Sequence, residues 1–118
     1  MDQFQTYLDA HRDRFLEELR ALCGMPSIAA QGMGLSETAD LVEARMRQVG
    51  ADVRRFVIDG SAPILYGEIG QGERTLLIYN HYDVQPPEPL DEWESPPFEL
   101  TLRDGKMYAR GVADNKAD

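Results

Sequence analysis

"LLIYNHYDVQ" (residues 76–85) carries an apolar run, Leu76 to Tyr79, almost directly into a histidine and an aspartate two positions apart. From Thr75 to Tyr79 the run does not alternate polar with apolar, which predicts a strand covered on both faces, as in sheets flanked by helices. Residues two apart on an extended chain share a side and lie about 6.5 Å apart along it, so His81 and Asp83 point together. In open α/β sheets ligands gather at the carboxyl ends of strands, which makes the pair a candidate for chemistry. A solvent-facing His and Asp at an ordinary strand end is the competing reading.

Toward the N-terminus the period changes. Phe4, Tyr7, Leu8, His11, Phe15, Leu16, Leu19 and Leu22 recur at steps of mostly three and four, the stripe of an amphipathic helix. Gly24 and Pro26 in "CGMPS" end it. Ser36 suits the N-cap of a second helix through "ETADLVEARMRQVG", with Leu41, Val42, Ala44, Met46 and Val49 inward and Gly50 as the left-handed stop. Beyond it, "DVRRFVID" and "PILYGEIG" read as short strands, and "FELTLRDGKMYARG" as a hairpin turning at Asp104-Gly105 in a type I′ turn. Two helices followed by a mixed sheet with a β-hairpin define an α/β fold, here an incomplete domain over residues 1–118.

Composition narrows the function. A chain of 118 residues is one small domain. Its formal charge of −9 offers no basic stripe to nucleic acid, and suits divalent cations or simply a solvated surface. No apolar run approaches the roughly 18 residues of a membrane span. The charged, amphipathic N-terminus is neither a secretory signal nor an Arg-rich transit peptide. Cys23, the single cysteine, permits no internal disulfide and fits the cytoplasm.

"GVADNKAD" places Asp114, Asn115, Lys116 and Asp118 after the hairpin, with Asp114 33 residues beyond His81. A neutral imidazole is the commonest zinc ligand, and a nearby carboxylate that accepts its other N–H fixes the tautomer and strengthens the donor. A carboxylate with two oxygens can bridge two metal ions. By itself Asp-Asn-Lys is also an ordinary turn.

Taken whole, "HYDVQPPEPLDEWESPPFELTLRDGKMYARGVADNKAD" resembles the first metal-binding block of the M20 metallopeptidases, particularly their dipeptidase branch. The likeness runs through H-x-D after a strand, a Trp and a Pro-Phe, a D-G hairpin and an R-G-x-x-D-x-K signature. "LCGMPSIAA" is similar to the family's P-S stretch after the first helix. The resemblance implies a dinuclear zinc enzyme, with cobalt or manganese as alternatives, that hydrolyses dipeptides or N-acyl amino acids by a metal-activated water. It makes His81 a ligand of one metal, Asp83 the acid that orients this imidazole, and Asp114 the bridge between the ions. It also makes Asp114–Asn115 a candidate non-proline cis peptide. Ala109 and Ala117 depart from the pattern, standing where relatives have Gly; a positive φ at position 117 would strain Ala.

The general-base glutamate and the remaining ligands that the resemblance implies would lie beyond Asp118; Glu88, Glu92, Glu94 and Glu99 match none of them. The expectation is an N-terminal segment of a catalytic domain, inactive when taken alone, from a protein that can dimerise through a domain outside this segment. A non-catalytic α/β module holding half a metal site is the alternative. A serine hydrolase is excluded by the lack of a G-x-S-x-G elbow. Of the other residues, Cys23 reads as a buried thiol and His11 as packing on the helix stripe. Trp93 and Phe98 would clamp a proline-rich loop that could border the substrate cleft. Arg110 with Gly111 would fix the hairpin's end, and Lys116 would pair with a carboxylate.

Overall fold

The computed structural model describes residues 2–117. Helix α1 (Gln3–Cys23) starts where the Asp2 side chain accepts a hydrogen bond from the Phe4 N–H, an N-cap that satisfies one orphan amide. Helix α2 (Leu35–Gln48) departs from expectation at its start. Gly34, not Ser36, is the N-cap, with a left-handed φ of 67°, and a Cβ there would lie 2.6 Å from the Pro26 carbonyl oxygen. Only glycine satisfies both demands, and this local need overrides the capping preference of serine. Ser36 instead accepts a hydrogen bond from Arg55. Helix α2 ends as expected at Gly50 (φ 91°): its N–H reaches the Arg47 carbonyl and that of Ala51 reaches Met46, the paired bonds of a Schellman motif.

The inward face of α2 is narrower than its periodicity suggests. Thr38 and Ala39 are buried, Leu41, Val42 and Met46 half-buried, whereas Ala44 and Val49 are exposed. What α2 packs against accounts for this: it touches α1 and lies along a two-stranded antiparallel sheet, β1 (Asp52–Phe56) with β2 (Ile64–Glu68), too narrow to cover a wider stripe. Gly67 sits where a Cβ would meet the Met46 Cε at 2.5 Å, so the strand needs a bare Cα to admit that side chain.

The second sheet is the expected hairpin, β3 (Thr101–Arg103) with β4 (Lys106–Tyr108). Asp104 (φ 52°) and Gly105 (φ 73°) both take positive φ, as a type I′ turn requires. The helices and sheets thus form an α/β arrangement, but with two separate antiparallel ladders where a mixed sheet is expected.

The largest difference falls on the opening stretch. Residues 74–83 form no regular secondary structure and pair with no strand among the described residues, and Leu76, Leu77, Ile78 and Tyr79 are 74–84 % exposed. An apolar run encodes a preference for cover, but a strand forms only where a neighbouring backbone supplies its hydrogen bonds. The described core is correspondingly small: beside the separately buried Ile28, Ala39, Val53 and Val84, its one contiguous cluster is Cys23, Leu100 and Ala109, with Leu19 and Val112 packed on it. That cluster ties the end of α1 to the hairpin, and so fixes the segment following β4.

Candidate metal centre

Three hydrogen-bonded ties carry His81 and Asp83 to their positions. Val84 forms a parallel bridge with Ile28, its N–H donating to the Ser27 carbonyl at 2.8 Å. The fully buried Ser27 hydroxyl donates to the Tyr82 carbonyl, and the Tyr82 hydroxyl to the carbonyl of Pro63. Bonds on Tyr82 and Val84 fix both neighbours of Asp83. This gives the Pro-Ser stretch after α1 a physical job: it is the rail on which the His-x-Asp segment rests.

Asp114 arrives from the other side, in a wide turn over Val112–Lys116. Gly111 opens it with φ 82°, and a Cβ there would lie 2.5 Å from Val84 Cγ1. The glycine therefore serves twice, by its left-handed backbone and by letting the His-x-Asp segment approach. The Lys116 N–H closes the turn on the Gly111 carbonyl at 2.9 Å, and the Asp114–Asn115 peptide is cis, as expected. Ala117 has φ −99°, so no left-handed residue is needed there and alanine is unstrained.

The turn is anchored at depth by Lys116. It is buried, and its ammonium donates to the carbonyls of Leu22 (3.0 Å) and Met25 (2.8 Å) at the end of α1. This corrects the expected carboxylate partner. At the C-terminal end of a helix, orphan carbonyls carry partial negative charge and accept a cation without an acid. Burial pulls the Lys116 pKa down to about 8, and raises that of the Cys23 thiol, which is buried as expected.

The three singled-out residues, 33 positions apart at their extremes, come together. His81 Nε2 lies 3.1 Å from Asp114 Oδ1. On the other side of the ring, His81 Nδ1 lies 3.1 Å from the Asp83 carbonyl oxygen and 3.2 Å from its carboxylate Oδ1. Burial would lower the imidazole pKa, but the Asp83 carbonyl, the Asp83 charge and then Asp114 outweigh it and hold it above its ordinary value. The His81 N–H donates to Asn115 Oδ1 at 3.0 Å, a contact that residue type alone does not reveal. Among the described residues no three of His, Cys, Asp and Glu converge on one ion position.

The remaining candidates lie apart from this cluster. Trp93 Nε1 donates to the Pro87 carbonyl, pinning the proline-rich loop, and Arg110 stacks over the Trp93 ring at 5.2 Å while its N–H reaches the Pro97 carbonyl. Trp93, Tyr108, Arg103 and Arg110 border a cavity of about 420 Å³ that none of His81, Asp83 and Asp114 lines. His11 bonds the Tyr7 carbonyl and packs by its ring, a role within α1.

Comparison with known proteins falls on the same residues. The model of "Peptidase family M20/M25/M40" matches residues 77–118, which hold all three. The chain is 33% identical over 131 residues to the Cys-Gly metallodipeptidase of Schizosaccharomyces pombe, covering 98% of this chain and 28% of that protein. It is 43% identical over 77 residues to the succinyl-diaminopimelate desuccinylase of Thiobacillus denitrificans, covering 65% and 19%. An M20 family metallo-carboxypeptidase of Sulfolobus solfataricus superposes with a TM-score of 0.81 at 36% identity, over 98% of this chain and 24% of the other. The class is thus a metallopeptidase-type α/β scaffold. The chain belongs to peptidase family M20/M25/M40, and spans about a quarter of the length of these relatives.

Proposed function

We propose that this chain is the N-terminal segment, residues 1–118, of the catalytic domain of a dinuclear zinc peptidase that hydrolyses dipeptides or N-acyl amino acids. One observation carries the reading: a single imidazole is aimed by one nitrogen at the Asp114 carboxylate and backed on the other by Asp83. The donor set fits the ion. Two zinc–ligand bonds of about 2.0–2.2 Å can span the separation of Nε2 from Oδ1, which is 3.1 Å. The relatives' names add that such frames act on Cys-Gly, a dipeptide, and on succinyl-diaminopimelate, an N-acyl amino acid.

When bound, zinc supplies a Lewis acid that lowers the pKa of a water and polarises a carbonyl. The chain's own contribution is to place donors. His81 presents a neutral Nε2; Asp83 holds the Nδ1 proton and so keeps that tautomer. Asp114 has one oxygen facing His81 and a side chain 81 % exposed, which leaves the second oxygen open to another ion. Cobalt or manganese would suit the same donors. Two protein ligands are fewer than the three or four of a zinc site, so residues 1–118 alone would hold zinc weakly and hydrolyse nothing. The reading places the protein in the cytoplasm with small peptides as partners. No described helix is long and apolar enough to cross a membrane.

The test is hydrolysis of a dipeptide panel, including Cys-Gly, by the full-length gene product before and after chelation, with His81→Ala and Asp114→Asn beside it. Activity that needs added zinc and is lost in both variants supports the proposal. Turnover that persists after chelation, or in both variants, refutes it. The alternative of a non-catalytic module predicts no turnover by the intact wild-type protein with zinc.

A further inference from the structure

We infer that Asn115 is a positioning residue for the candidate metal centre, setting the stance of His81 relative to Asp114; this rests on the metal-site reading above. The Asp114 side chain is almost fully solvated, so packing does not place its carboxylate. Its backbone does, and the residues following it are held from two directions. Lys116 pins the turn to the end of α1 through the carbonyls of Leu22 and Met25. Asn115, between them, ties the turn to the histidine segment through the His81 N–H at 3.0 Å.

The second tie differs in kind from the direct His81–Asp114 contact. That contact uses the imidazole Nε2 and carboxylate Oδ1 that an ion would claim, so it cannot hold the two residues at their spacing once an ion lies between them. The Asn115 bond uses a backbone N–H and an amide oxygen, neither of which belongs to the donor set proposed for the ions. It can therefore persist in both states, linking the backbone of one donor to the residue beside the other across 34 positions of chain. A backbone N–H only donates, so the Asn115 atom facing it is the carbonyl oxygen. Aspartate at 115 keeps an acceptor in the same place. Alanine removes it and leaves a part-buried N–H unpaired, while glutamine carries the oxygen one methylene out of reach.

The experiment measures zinc affinity of the full-length protein by chelator competition, the visible spectrum of the cobalt-loaded protein, and the thermal midpoint. Orienting contacts behind metal ligands are typically worth about 10- to 100-fold in affinity. The expected result is a loss of that size in Asn115→Ala and Asn115→Gln, with shifted cobalt bands and a retained folding transition. Asn115→Asp should restore the wild-type spectrum, which reports ligand geometry and is not mimicked by the added charge. Should Asn115→Ala fail to fold, the contrast of Asn115→Gln with Asn115→Asp decides. Wild-type affinity and spectrum in Asn115→Gln, or a shifted spectrum in folded Asn115→Asp, overturns the inference. His81→Ala is run alongside. If it binds zinc as tightly as wild type, the metal-site reading fails and this inference with it; if it loses zinc while Asn115→Ala does not, only the positioning role fails.

Discussion

Replacing Gly111 with alanine tests the contact on which the whole site geometry depends. Two separable costs follow from the structure. Gly111 has φ 82°, and an L-residue held in the left-handed region costs roughly 1–2 kcal/mol. The new Cβ would also lie 2.5 Å from Val84 Cγ1 and 3.3 Å from Lys116 Cδ. Forcing a methyl into such a contact costs about 1–3 kcal/mol. The total, about 2–5 kcal/mol, is a large part of the stability of an ordinary domain. Val84→Ala in the same chain removes the atom in the way, so the double variant should recover the packing part and keep the backbone part. Denaturant unfolding of wild type, both singles and the double gives the coupling directly, with about 1–3 kcal/mol expected against the roughly 0.3–0.5 of independent sites. Additive costs would show that Val84 is not what excludes a methyl at 111. A Gly111→Ala variant as stable as wild type would refute both halves of the reasoning.

Lys116 sets a pH dependence whose sign follows from its lowered pKa. Between pH 8 and the ordinary value of 10.5 the unfolded chain keeps a proton that the folded chain has released, so stability rises with pH across that window and is flat below it. Unfolding midpoints from pH 7 to 11 should show that rise in wild type and lose it in Lys116→Met; an equal slope in both would assign it elsewhere. The raised His81 pKa acts on metal affinity in the opposite sense to burial. Zinc must displace a proton below that pKa, so affinity should fall about tenfold per pH unit there and level off above. Asp83→Asn removes part of what raises His81 and should move the break to lower pH in chelator competition; an unmoved break would sever Asp83 from the imidazole.

The parts of this protein that residue order determines are those whose physics is local. The stripe from Phe4 to Leu22 makes α1, Gly50 stops α2, and Asp104-Gly105 turns the hairpin, because each choice is decided within one or two turns of chain. The H-x-D spacing likewise puts Asp83 on the side of His81 that it occupies. Local preference misleads at Ser36, a good cap beside a position where the Pro26 carbonyl admits only glycine. It misleads at Val49 and at Leu76–Tyr79 too, since an apolar residue is buried only if another element arrives to cover it. Lys116 is charged, yet its partners are carbonyls at the end of a helix more than 90 residues earlier. The same holds for the site. Which acid meets which face of His81 is decided by Ser27 holding Tyr82, Gly111 admitting Val84 and Asn115 accepting from His81. Those contacts join residues 27 to 115, and no local pattern encodes a separation of that kind. Chemistry was written in the residue types; the 3.1 Å between imidazole and carboxylate exists only because the chain folds back on itself.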